Sequence, residues 1–197
     1  MMLRELAAVA TAALPIRDFA DHLRLGTGFA DDGSQDAVLE TYLRSALAAI
    51  EARTGKALLR RSFVWTLTAW GAADAQRLPI APVTGIESLN LHASDDTVEA
   101  VDLRRLRLVP DTHRPAIEPT GAHLPTIPTG GIAELTLEAG FGADWASIPA
   151  DLRQAVLMLA AGYYERRGVD GGVGSFPFGV NSLIERHRDL RIGRGAT

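Results

Sequence analysis

Histidines and carboxylates are the side chains of this chain that could do chemistry, and their spacing argues against it. The five histidines, His22, His92, His113, His123 and His187, fall on five different predicted elements. No two have the i, i+4 helical spacing that turns both rings toward one zinc ion. Asp18 with Asp21 or His22 shares a helix face, but such a trio reads more simply as a solvated surface. Asp31-Asp32-Gly33-Ser34-Gln35-Asp36 has the composition of a calcium loop. It lacks the alternating ligands and the twelfth-position glutamate, so it reads as a loop with Ser34 or Asp36 capping the next helix. No G-x-S-x-G, Walker or G-x-G-x-x-G pattern is present; Gly26-Thr27-Gly28 precedes acids, and Gly171-Gly172-Val173-Gly174 follows a helix rather than a strand. The members of a Ser/His/Asp site need not be close in sequence, so a small hydrolase with a dispersed site stays open as a rival reading. The expectation is a protein that is not an enzyme, with no catalytic residue, no cofactor and no metal.

Arginine is the more informative polar residue. Arg60-Arg61, Arg104-Arg105-Arg107, Arg166-Arg167 and Arg186/Arg188/Arg191/Arg194 cluster in a chain whose only lysine is Lys56. A GC-rich genome would explain the arginine-to-lysine ratio, but not the clustering near the C-terminus. Arginine suits planar recognition of carboxylates and tolerates interfaces better than lysine. A net charge of −4 argues against a protein that coats nucleic acid through its overall charge. With 47% hydrophobic and 22% charged residues among 197, the chain can bury a real core as an ordinary globular protein. The absence of cysteine excludes disulfides and thiolate catalysis and suits a reducing cytoplasm.

The elements that must position these residues follow from periodicity. Segment 16–25 reads as a short helix with Phe19, Leu23 and Ile16 inward. A second helix, about 35–54, carries the stripe Leu39, Leu43, Leu47 and Ile50 and stops at Gly55. Segment 149–167 has nearly every mark of one helix: Pro149 in the first turn, Asp151 at the positive end of the dipole, and the face Leu152, Val156, Leu159 and Tyr163. Arg166 and Arg167 complement its negative end, and Gly168 can stop it. Its tip, Tyr163-Tyr164-Glu165-Arg166-Arg167, turns from aromatic to charged, as a helix leaving a core for solvent or a partner does.

Between the second and third helices the period becomes alternating. Phe63, Trp65 and Leu67 define a half-buried strand. Segment 78–83 is too proline-rich for a central strand. Segments 86–92 and 98–109 read as paired strands around Ser94-Asp95-Asp96, 116–119 as a short extended piece, and 131–139 as a further strand. Segment 6–14 is Ala-rich, but Glu5 interrupts its basic flank, so the N-terminus reads as frayed rather than as a targeting signal. Nothing approaches the roughly 20 apolar residues of a membrane span. Gly168, Gly171, Gly172, Gly174 and Gly179 make 169–179 a linker by composition. The segment after it, 180–197, pairs an apolar side (Val180, Leu183, Ile184, Ile192) with arginines. Such a segment gains little by folding alone and can order against an acidic or grooved partner.

In order along 15–168, the stretches PIRDFADHLRL, ALAAIEARTGKAL, LPIAPVTGI, EAGFG and IPADLRQAVLMLAAGYYERRG resemble the head–tail connector (adaptor, head-completion) family of tailed phages and gene transfer agents. Segment 177–192 is similar to the tail of the gene-transfer-agent branch. The resemblance implies an α+β protein: a small helical bundle core with an inserted β-rich module at about 60–140 and a flexible C-terminal arm. The connector body would be 1–168, the linker 169–179 and the arm 180–197. It implies a homo-oligomeric ring, typically dodecameric, at the particle neck. The partners implied are the portal protein and the next neck (stopper) protein, with DNA passing without sequence-specific contact, no membrane, and assembly in the bacterial cytoplasm. On this view Leu183, Ile184, Arg186, Arg188, Arg191 and Ile192 bind the portal, and Tyr163, Tyr164, Arg166 and Arg167 are secondary interface candidates. A monomeric binding module is the remaining alternative.

Overall fold

The computed structural model describes residues 1–25, 33, 35–166 and 176–188. The chain is mixed α+β and divides into two compact units, one of Met1–Leu14 with Lys56–Ile148 and one of Pro15–Gly55 with Pro149–Thr197.

The first unit is built on antiparallel strands. Its five-stranded sheet has the order β1-β2-β8-β4-β5, formed by β1 (Met2–Glu5), β2 (Arg61–Leu67), β4 (Val83–His92), β5 (Val98–Ala100) and β8 (Ile132–Ala139). A second sheet, β3-β7-β6, consists of Gln76–Arg77, Ala116–Pro119 and Leu106–Val109. Strand β8 lies at the centre because alternation buries Ala133, Leu135, Leu137 and Ala139 on one face. Phe63, Trp65 and Leu67 of β2 and Leu89 and Leu91 of β4 join them, and Ile117 of the second sheet closes the same core.

Entry and exit of this unit are stapled together. The Arg60 N–H donates to the Gly142 carbonyl at 2.7 Å, and the Phe141 N–H donates to the Leu58 carbonyl at 3.2 Å. Gly140 makes the approach possible: its φ is +135°, and a Cβ there would lie 2.4 Å from Arg60 Cα. The single lysine, Lys56, is buried at the entry and donates to the Thr112 carbonyl, with His113 Nδ1 3.3 Å away.

The second unit holds α1 (Ile16–His22), α2 (Asp36–Thr54), α3 (Ala150–Glu165) and α4 (Phe178–Ile184). Helix α2 ends at Gly55, whose left-handed φ of 69° lets its N–H cap Glu51 at 2.8 Å. Leu39, Leu43, Leu47 and Ile50 of α2 are buried, as are Leu152, Val156 and Leu159 of α3, and the two helices pack on each other. Phe19 of α1 is buried as expected, while Asp18, Asp21 and His22 lie on its solvated side.

Several expectations change. The N-terminus is a paired edge strand: Met2, Leu3, Arg4 and Glu5 face Thr66, Trp65, Val64 and Phe63. Segment 98–109 is not one strand, because the Asp102 side chain accepts from the Arg104 N–H at 2.9 Å and turns the chain out of the first sheet into the second. Gln35, whose side chain makes no capping bond, is the N-cap of α2, where Asp36 is already helical; Ser34 lies outside the described residues. Pro149 is the N-cap of α3 rather than its first helical residue.

Truncating Leu159, which is 2% exposed, should cost about 2–5 kcal/mol in a denaturant titration of Leu159→Ala. An unchanged midpoint would mean that the α2–α3 contact does not hold the unit together.

Candidate assembly surface

Segment 176–188 was expected to belong to a linker and an arm reaching away from the body. Its described part is instead docked on α3. Helix α4 buries Val180 and Ile184 completely, and His187 is 7% exposed. The Asn181 side-chain amide holds the start of the helix by donating to the Phe176 carbonyl at 2.8 Å. Glycines dominate the composition before this helix, but the spacing Val180, Ile184, His187 is an apolar stripe with α3 as its partner.

A polar clasp finishes the docking. His187 Nε2 lies 2.7 Å from Asp151 Oδ2, and Arg186 Nε lies 2.6 Å from the same oxygen. Asp151 Oδ1 accepts from the Leu152 N–H at 2.9 Å, at the N-terminus of α3. A carboxylate can only accept, so His187 carries its proton on Nε2. Burial works to raise the Asp151 pKa, but the His187 hydrogen bond and charge, the Leu152 amide and Arg186 together hold it below the ordinary aspartate value.

The residues singled out from the sequence divide accordingly. Ile184 is fully buried in the second unit. Leu183 is half-buried, Arg186 is exposed while bridging to Asp151, and Arg188 pairs with Glu185 at 3.0 Å. Arg191, Ile192 and Arg194 lie outside the described residues. At the tip of α3, Tyr163 and Tyr164 are half-buried rather than presented to solvent. The Tyr164 ring meets Tyr42 edge to face at 5.8 Å, with its hydroxyl 3.3 Å from Gln35 Oε1. Arg166 folds back to donate to the Gly162 carbonyl at 3.2 Å, and Arg167 and Gly168 lie outside the described residues. Phe178, assigned by composition to the linker, is 88% exposed; the Pro177 beside it, opening a helix, was the available hint.

Other polar groups of the described residues are engaged locally. A cleft of about 430 Å³ beside Trp70, Leu124 and Ile127 contains His123 and no carboxylate. The hydroxyls of Ser62 and Ser147 donate to Glu87 and Asp144. Among the described residues, no group of three His, Asp or Glu could hold a metal ion, and no helix is long and apolar enough to cross a membrane.

The described residues thus form two antiparallel sheets that share one core, and a set of helices in which α4 is docked on α3. No protein-family model and no curated protein matches it. Solved structures do. A chain from the neck of an empty gene transfer agent particle, computed with C6 symmetry, matches with a TM-score of 0.90 and 55% identity over 99% of both chains. A chain from the virion of a native gene transfer agent particle matches at 0.88 and 54%, again over 99% of both. One from the neck of a native particle computed with C12 symmetry matches at 0.85 and 49%, with the same coverage. The chain belongs to this family, the gene transfer agent neck proteins that act as structural head–tail connectors.

The depressed Asp151 sets an acid limit on the docking of α4. Its contribution is fully present above the unfolded value near 3.8 and is lost as pH falls through the lower folded value. Protection factors at 178–187, that is, exchange measured against the intrinsic rate at each pH, should therefore fall at low pH in the native chain. In Asp151→Asn the protection factors should already be low at neutral pH and change little with acid. Equal protection in both proteins would show that the clasp contributes nothing.

Proposed function

We propose that twelve copies of this chain close into a ring that seats on the portal, carries the next neck protein on its opposite face, and leaves a channel for DNA. The observation that carries this reading is 55% identity over 99% of the chain to a protein in a neck with cyclic symmetry; a second relative comes from a neck computed with C12 symmetry. A net charge of −4 fits a wall past which DNA slides without adhering.

Portal contact belongs to the end of the chain in this reading, with its base fixed. Helix α4 anchors the segment on α3 through Val180, Ile184 and the Asp151 clasp. The docking leaves Leu183, Arg186 and Arg188 at the surface, and Arg191 and Ile192 follow a few residues on. A ring of such ends offers repeated arginines to an acidic or grooved collar, with affinity multiplied by valency.

Two truncations separate anchor from contact. Ending the chain after Arg188 should leave the melting temperature unchanged and abolish capture of portal rings in a pull-down read by negative-stain imaging. Ending it after Gly179 should also lower the melting temperature, because Val180 and Ile184 leave the core. Portal capture by both truncated proteins would defeat the assignment of this segment, and Tyr163, Tyr164 and Arg166 would be tested next.

A further inference from the structure

The apolar surface of the described residues is concentrated at the two edges of one sheet. Seven large apolar side chains are exposed among the described residues; four of them, Met1, Met2, Leu3 and Leu6, lie on or beside β1, and Val98 lies on β5. These are the first and last strands in the order β1-β2-β8-β4-β5, with no further strand beyond either among the described residues. An exposed apolar edge strand is a template for pairing, and natural proteins normally blunt it with charge, proline or a cover.

The hydrogen-bond phase shows what each edge offers. The Leu6 N–H donates inward to Ser62 at 3.0 Å, so the even residues of β1 bond to β2, while Leu3 and Glu5 turn their N–H and C=O groups outward. On β5 the Ala93–Thr97 and Val101–Leu89 bonds, both 2.9 Å, place Glu99 inward and Val98 and Ala100 outward. Every junction in the sheet is antiparallel and the strands are five, so β1 and β5 run in the same direction.

We infer that the β5 edge of one copy pairs in parallel with the β1 edge of the next, so that the ring is joined by strand addition between two different edges of the same sheet. This rests on the ring reading above. A cyclic oligomer needs a head-to-tail contact between two dissimilar patches, and a sheet whose two open edges run the same way supplies one at each copy. With Val98 level with Met2, those two exposed side chains meet on one face. The Leu3 N–H then faces the Val98 carbonyl, the Ala100 N–H faces the Leu3 carbonyl, and the Glu5 N–H faces the Ala100 carbonyl. Charge agrees: Glu5 is already bridged to Arg61 at 2.7 Å, which leaves Arg4 on this edge, while Asp95, Asp96 and Glu99 surround the other.

The chain has no cysteine, so introduced thiols report directly. Neighbouring strands are about 4.8 Å apart, within disulfide reach. Particles assembled with the Met2→Cys/Val98→Cys double variant should, on oxidation, give a ladder of covalent oligomers ending at the ring number. Each single variant should stay monomeric on the same gel. Leu3→Pro removes an outward N–H and leaves the β1–β2 ladder intact, so it should lower ring formation at least tenfold at an unchanged melting temperature. Particles that contain the double variant but show no ladder would overturn the inference and leave the ring reading standing. Cross-linking of Met2→Cys alone to a different neck protein would overturn it too. Failure of the unsubstituted chain to form any ring would take down both.

Discussion

Everything in this chain depends on the β unit closing on itself where it opens. The chain leaves the helical unit at Gly55 and does not resume it until Pro149, so the helices can share a core only if the intervening strands return to their starting point. The Leu58–Phe141 and Arg60–Gly142 bonds make that return, and Gly140 is there because no side chain fits against Arg60. With the ends held, α2 and α3, distant in sequence, become neighbours, and α4 gains a surface to dock on.

That arrangement gives a connector what it needs. The chain forms two compact units, and each buries apolar residues of its own. The sheet carries exposed apolar side chains along its β1 edge, and the helical unit buries Leu39, Leu43, Leu47, Ile50, Val180 and Ile184 while Val38 and Phe178 stay exposed. No reactive group is required for such a task. Several polar interactions of the described residues are clasps and caps: Asp151 with His187 and Arg186, Asp102 on the Arg104 amide, and Asp144 on Ser147.

Much of this was legible because periodicity reports burial. Leu39, Leu43, Leu47 and Ile50 marked α2, Leu152, Val156 and Leu159 marked α3, and Phe63, Trp65 and Leu67 marked β2. All of them are core residues. The N-terminal strand was illegible for the opposite reason: all four residues of β1 are exposed, so no alternation distinguishes it from a frayed end. Helix α4 was misjudged because glycine content described the neighbourhood, while the burial of Ile184 depends on α3, which no local pattern reports. The pairing of Arg186 with Asp151 was illegible for the same reason, since it joins residues on two separate elements.

Native mass spectrometry of necks released from purified particles tests the central claim most directly, since it counts copies of this chain in the assembly. The account predicts twelve copies in a closed complex with the portal, with no species intermediate between that complex and free monomer at equilibrium. One or a few copies per neck, or a chain found only free of the neck, would contradict it.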